Sequence, residues 1–318
     1  MAAQHAFVSR RVAFIINCPL PVIPLTPHDP IVIGLGETLW DLFPDGAVWG
    51  GAPGNVACDA AGLGVRSFMV SRVGCDPLGD QGIAALESLG VDCSHLQRDP
   101  RYPTGTVAVA LGPAGDASYV FAADTAWDHL AWEPGFEQLA AEADAVCFGT
   151  LGQRSEESRR TIRRFLAAAT RAVRVFDVNL RQHFHSPELI RDSLALATVL
   201  KLNDEELPVV AAACGISDEN PLAAVRQLAD LYGLRLAALT RGAAGSVLVA
   251  DGVVSTRAAA APVIVDTVGA GDAFTAAVIT GLLRGRPLEA IHDHASRLAA
   301  FICGCRGATP RIPAELRE

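Results

Sequence analysis

Apolar and polar positions follow two different periods from Ile31 onward. Short apolar runs at Ile31–Leu35, Ser67–Val73, Ala145–Phe148, Val173–Val178, Val199–Leu202 and Leu236–Thr240 predict buried strands. Between them a helical period predicts helices at Asn55–Leu63, Gly79–Leu89, Ser155–Ala169, Glu188–Ala197, Asp204–Ala213 and Pro221–Tyr232. Ser246–Ala250, Asp251-Gly252 and Val253–Thr256 read as a hairpin. Short apolar strands alternating with helices of ten or more residues imply βαβ units. The expected fold is therefore α/β, with a mostly parallel central sheet covered by helices on both faces.

Two stretches break the alternation. Thr38–Trp49 is too polar and turn-rich for a core helix, and Thr104–Leu111, Gly112–Asp116 and Ser118–Phe121 read as an antiparallel hairpin. Both are expected to meet as a small β lid, inserted at about residues 38–51 and 103–124 of a single domain spanning residues 31–318. Residues 1–30 lack the long apolar run and small-residue cleavage site of an export signal and are expected to be a poorly ordered leader.

Composition narrows the function. Half the residues are hydrophobic and 19% are charged, which suits a sizeable core. A net charge of −9 disfavours a nucleic-acid partner, and no run reaches the ~18 apolar residues of a membrane span. Of the 26 basic residues only Lys201 is a lysine, so the Gly-Lys-Ser/Thr of a Walker phosphate loop is missing. The eight cysteines form no Cys-x-x-Cys pair, which points to a reducing, cytoplasmic compartment. His183/His185 and His292/His294 are two apart, a spacing that turns helical side chains to different faces rather than onto one metal.

The chemistry centres on Asp266–Phe274 (DTVGAGDAF), between the strand-like run Pro262–Val265 and a small-residue helix expected over Ala270–Leu283. Gly269 and Gly271 permit a tight turn that converges N–H groups on one point at a helix start. Asp272 within that ring is either a helix cap or a general base beside an anion hole. In the Gly50–Asn55 cluster Gly51 and Gly54 permit close backbone approach, and Asn55 is either an N-cap or a sugar-hydroxyl ligand facing Asp41. Arg181, after the strand ending near Val178, suits a phosphate or a surface ion pair. Asn203 and Glu206, spaced i, i+3, suit Mg²⁺ held through water or a capping box. Thr240, Arg241, Gly242 and Gly245 end a further strand and could line a nucleotide pocket. Gly34-x-Gly36 hints at a dinucleotide site, but Leu39 occupies the third glycine position.

Taken in order, these motifs resemble the ribokinase-like (PfkB) carbohydrate kinase family from about Ile31 to Ala308. Gly50–Asn55 looks like its first signature and Asp266–Phe274 like its second. GETLWDLFP, GTLGQRSEESRRTI, DVNLRQHF and LKLNDEEL look most like bacterial fructokinases. The resemblance implies a ribokinase-like fold with a β lid, and ATP and Mg²⁺ as cofactors. It assigns the base to Asp272, and the anion hole to Gly269, Ala270 and Gly271. Sugar contacts fall to Asp41, Gly50, Gly51, Asn55, Asp124 and Arg181. The ATP site falls to Asn203, Thr240, Arg241, Gly242, Gly245 and Gly271, and Mg²⁺ to Asn203 and Glu206. A monovalent cation such as K⁺ would sit at Asp266 and the Cys303–Ala308 loop, where Cys305-Arg306 departs from the usual residues.

Neither expected lid segment contains Arg or Lys, so a neutral monosaccharide is expected rather than a phosphosugar, with fructose first on resemblance. Trp40 and Trp49 could stack on it, although packing between lid and core is the plainer use. Other acceptors are 2-keto-3-deoxygluconate, ribose or a nucleoside. From other classes come an NAD-dependent oxidoreductase and a sugar-binding regulator without catalysis. A homodimer through the lid is the assembly to look for.

Overall fold

The computed structural model describes residues 29–44, 46–111, 117–260 and 264–317. The expected leader lies outside these except for residues 29 and 30, as do the Gly112–Asp116 turn and Pro262-Val263 of the strand-like run.

In chain order the first half comprises β1 (Ile31–Leu35), β2 (Leu39–Phe43), β3 (Gly46–Gly50), α1 (Ala52–Gly62), β4 (Arg66–Gly74) and α2 (Pro77–Ser88). There follow β5 (Val91–Asp92), β6 (Leu96–Asp99), β7 (Gly105–Leu111), β8 (Ala117–Phe121), α3 (Pro134–Glu142), β9 (Ala145–Phe148) and α4 (Glu156–Ala168). The second half begins with β10 (Val173–Asp177), α5 (Pro187–Leu196), β11 (Val199–Asn203), α6 (Glu206–Ala213) and α7 (Pro221–Tyr232). It ends with β12 (Leu236–Thr240), β13 (Ser246–Ala250), β14 (Val253–Arg257), α8 (Ala270–Leu283) and α9 (Leu288–Cys303).

The main sheet runs β14-β13-β12-β11-β10-β9-β1-β4-β5, with β6 also on β4. It is parallel from β12 to β5, and β13 and β14 add antiparallel strands at one edge. Alternate residues of β1 go to opposite cores, as a sheet covered on both sides requires. Ile31, Ile33 and Leu35 pack with Phe136, Phe165, Ile190 and Val225 of α3, α4, α5 and α7. Val32 packs on the other face with Val56, Phe274 and Ile291 of α1, α8 and α9. The chain leaves β1 toward β4 in one direction and later returns on its other side through β9. The crevice at the carboxyl ends of these strands is where open α/β sheets bind ligands.

The two interruptions of the alternation pair with each other. β3-β2-β7-β8 form a separate four-stranded sheet, in which β2 and β7 are parallel. Leu39 and Val107 of this sheet pack with Trp127, which follows β8, and with Leu151, just past the carboxyl end of β9 in the main sheet. That contact sets the second sheet over the carboxyl edge. The tryptophans serve packing: Trp40 Nε1 donates to Leu78 O at 3.0 Å, and Trp49 lies edge-on to Trp40 and against Gly82 of α2.

The strand-like reading is corrected at Ile264 and Val265, the described residues of that run. Ile264 and Val265 are exposed and join no strand. The Val265 and Asp266 N–H groups bond instead to Cys303 O at 2.8 and 3.2 Å, tying the segment to the end of α9.

His292 and His294 are core histidines. His292 is held between the hydroxyls of Ser246 and Ser255, each at 2.8 Å, and His294 Nε2 donates to Leu316 O. Burial pushes His292 down from 6.5 to about 4, so it stays neutral in the fold while the unfolded chain takes up the proton. Its contribution is complete above pH 6.5 and is lost as pH falls through about 4. Thermal unfolding is expected to show this loss in the wild type and a weaker pH dependence in His292→Gln.

Candidate active site

Two glycine-rich segments, more than two hundred residues apart, meet at one hydrogen bond. Asn55 Nδ2 donates to Asp272 Oδ2 at 2.8 Å in a buried setting. Neither residue caps its helix. Gly51, at φ +110°, is the N-cap of α1, and Gly269, at φ +81°, is that of α8. Asn55 and Asp272 thus lie inside the first turns of two packed helices and face each other. The first-turn N–H groups of any helix lack intrahelical acceptors, which suits a helix start to an anion; in α8 the Ala270 N–H bonds to Thr267 O at 3.3 Å.

Glycine is required around this point by close packing. A Cβ on Gly51 would stand 2.8 Å from Glu37 O, and one on Gly50 would stand 2.9 Å from Asp41 Oδ2. The Asp41 carboxylate therefore lies against the start of the Gly50–Asn55 cluster, half-buried and raised in pKa by that burial. A Cβ on Gly269 would reach within 2.4 Å of Ala308 O. Gly34 is explained the same way: its Cβ would strike Pro53 O at 2.2 Å, so it serves strand–helix packing.

Asp272 is 9% exposed, and its pKa is raised from 3.8 to about 6. Desolvation is the main cause and Asp177 adds repulsion, while Lys201, the Asn55 hydrogen bond and Arg181 oppose it. Such a carboxylate is a better proton acceptor than a solvated one yet remains ionised at neutral pH. As a general base, Asp272 predicts a pH profile of kcat/KM that falls on the acid side as pH drops through about 6. A profile flat to pH 4.5 would count against that role.

Arg181 is exposed, with Nη2 at 3.3 Å from Asn179 Oδ1, and its charge lowers the pKa values of Glu37, Asp41 and Asp272. It therefore shares their neighbourhood. Asp124 is 73% exposed and accepts from His129 Nε2 at 2.7 Å, and His129 Nδ1 lies 2.9 Å from Glu157.

Asn203 and Glu206 form the reciprocal box. Glu206 N donates to Asn203 Oδ1 and Asn203 N donates to Glu206 Oε2, both at 2.8 Å. Glu206 Oε1 also accepts from Leu180 N at 3.0 Å. Each carboxylate oxygen keeps a second lone pair, so these residues fit a divalent ion held through water. Asn203 pairs in register with Thr240 on β12. Beyond Thr240, the chain turns through Gly242 (φ +48°) to Gly245 (φ +86°), closed by Arg241 N to Gly245 O at 2.8 Å. Asp266 Oδ1 accepts from Val268 N at 3.0 Å and Oδ2 from Gly307 N at 3.2 Å, joining the two segments expected around a monovalent cation.

Several neighbours of Asp272 carry no assignment from the sequence motifs. Lys201 and Asp177 are a buried ion pair at 3.0 Å, and Thr275 Oγ1 donates to Asp177 at 2.8 Å. Glu37 is 2% exposed and pushed to about 7, chiefly by burial. Asp59, one turn after Asn55, is 1% exposed and raised well above its ordinary range by burial. The lone lysine and the acidic residue in an apolar helix were the available signals.

The pfkB family of carbohydrate kinases matches residues 46–315. The chain belongs to that family. A fructokinase of Klebsiella pneumoniae is 33% identical over 295 residues, spanning 87% of this chain and 92% of the relative. Among solved structures, a sugar kinase of Pyrococcus horikoshii in complex with ATP is 29% identical, with a TM-score of 0.74, covering 88% of this chain and 94% of its own. A fructokinase of Vibrio cholerae with bound fructose, ADP and calcium is 25% identical, with a TM-score of 0.76, covering 90% and 97%. This sugar kinase therefore has the ribokinase-like fold. Family membership over most of the chain overturns the NAD-dependent oxidoreductase reading, as does the packing role of Gly34.

Proposed function

We propose that this sugar kinase transfers the γ-phosphoryl of ATP to the terminal hydroxymethyl of a neutral monosaccharide, with fructose giving fructose 6-phosphate as the leading case. The supporting observation is the 2.8 Å contact between Asn55 and Asp272, because it places a candidate sugar ligand beside a candidate base. Phosphoryl transfer asks the protein mainly for positioning and electrostatics. Asp272 takes the proton of the attacking hydroxyl, and the N–H groups of Gly269, Ala270 and Gly271 face the transferring group. Asp41, Gly50, Gly51, Asn55 and Arg181 hold the sugar, with Asp124 at the outer edge. Thr240, Arg241, Gly242 and Gly245 line the nucleotide, and Asn203 and Glu206 hold the waters of Mg²⁺. A bound divalent ion would neutralise phosphate charge during transfer. The second sheet is the lid over this crevice.

Fructose is supported by relatives named fructokinases and by a lid without basic residues. A coupled ADP-release assay over fructose, 2-keto-3-deoxygluconate, ribose, nucleosides and phosphosugars tests the proposal. Turnover is expected on free fructose; turnover confined to a phosphosugar would overturn the neutral-substrate reading. Absence of ADP release with every acceptor would favour a sugar-binding regulator.

Asp266 and the Cys303–Ala308 loop are the proposed K⁺ site. Replacing K⁺ by Na⁺ at constant ionic strength is expected to lower kcat several-fold in the wild type and to have little effect in Asp266→Ala. We place the enzyme in the cytoplasm: no described helix is long and apolar enough to cross a membrane, and the cysteines of the described residues are free. Tyr119 and Val120, exposed on β8, mark the surface through which lids would pair in a homodimer.

A further inference from the structure

Gly271 faces a crowded space although its own backbone does not call for glycine. It lies in the first turn of α8 and, unlike Gly269, is not among the glycines with positive φ. A Cβ at Gly271 would instead stand 3.0 Å from Lys201 Nζ and 3.7 Å from Cε. The space that a side chain would fill is occupied by the ammonium of the chain's one lysine.

Lys201 and Asp177 are partners in register on β11 and β10, and Lys201 Nζ lies 3.0 Å from Asp177 Oδ1. Asp177 Oδ2 and Gly271 O both face the Thr275 hydroxyl, at 2.8 and 3.0 Å. Lys201 is 5% exposed and Asp177 1%. A buried ion pair rarely repays its own desolvation, so its place under the first turn of a helix calls for a use.

We propose that Lys201 is a working part of the phosphoryl-transfer site, its ammonium lying beneath the first turn of α8 as a fixed positive charge that keeps Asp272 a carboxylate and strengthens the field on incoming phosphate oxygens. This rests on the kinase reading above. Lys201 acts through Asp272 and the helix end, as a positioning residue. The charged groups facing Asp272 divide by sign. Asp177 from β10 repels its negative form, and Lys201 and Arg181 attract it; Asp272 in turn raises the proton affinity of Asp59 on α1, Glu37 after β1 and Cys147 on β9. Arg181 is exposed and screened by solvent, which leaves Lys201 as the dry countercharge.

A single lysine makes the test direct. Protein labelled with ¹³C-lysine has one lysine side chain to observe. Its ¹³Cε shift is expected to step with Asp272 titration near pH 6, and the step is expected to vanish in Asp272→Asn. No step, or a step that persists in that variant, would overturn the coupling without recourse to activity. Lys201→Met is expected to lower kcat about 10²-fold. It should also move the acid limb of kcat/KM up by about one pH unit, because the base loses its countercharge. A merely structural lysine would lower stability and leave that limb in place, and such an outcome sinks the proposal. If the wild type releases no ADP with any sugar, the kinase reading fails while the labelled lysine still reports the coupling.

Discussion

Asp272→Asn is expected to cut kcat by at least ~10²-fold while sugar binding and thermal stability stay close to wild type. The substitution keeps the shape of the side chain and leaves an amide oxygen for Asn55, which now donates to Asp272 Oδ2 at 2.8 Å. What disappears is the capacity to accept a proton. Removing the negative charge also relieves repulsion from Asp177, so the fold should not suffer. Steady-state kinetics with the best sugar, sugar binding by calorimetry and a thermal melt together decide the matter. A variant with near-normal turnover would remove Asp272 from the chemistry.

Gly269→Ala should damage both stability and turnover. Gly269 has φ +81°, a left-handed conformation that costs an L-residue about 1–2 kcal/mol. Its Cβ would also meet Ala308 O at 2.4 Å and Ala308 Cα at 2.6 Å, backbone atoms with no rotamer to escape into. The start of α8 or the Cys303–Ala308 loop must shift. A misplacement of about 1 Å at a reacting centre can cost ~10²-fold in rate. Gly233→Ala is the control, because Gly233 is also left-handed (φ +61°) but a Cβ there meets nothing within 4 Å. The control should lose some stability and keep its turnover, whereas Gly269→Ala loses both. Equal turnover in the two variants would show that the packing of Gly269 does not position the site.

Much of the fold was legible because its signals are local. The helix at Ala270–Leu283 and the helix at Pro221–Tyr232 begin and end where the sequence places them. The hairpin β13–β14 follows from Asp251-Gly252 between two apolar runs. The correction at Ile264 and Val265 is equally instructive. Apolar composition there imitates a strand, but Ile264 and Val265 stay exposed, because their backbone is taken by the end of α9 rather than by a sheet edge. Asn55 misleads in another way: it has the chemistry of an N-cap, yet Gly51 takes that place and frees the amide for Asp272.

By itself the sequence determined the alternating α/β order, the two glycine-rich turns and the residue types able to do phosphoryl chemistry, since each depends on neighbours within a few positions. Only the tertiary structure decided that Asn55 meets Asp272, that Asp177 and Lys201 pair beneath Gly271, and that Glu37 and Asp59 are buried nearby. Those facts depend on strand order and on the packing of α1 against α8, which bring residues far apart in the chain within a few ångströms. The proton affinity of Asp272 is likewise a tertiary property, because desolvation and the charges of distant segments set it.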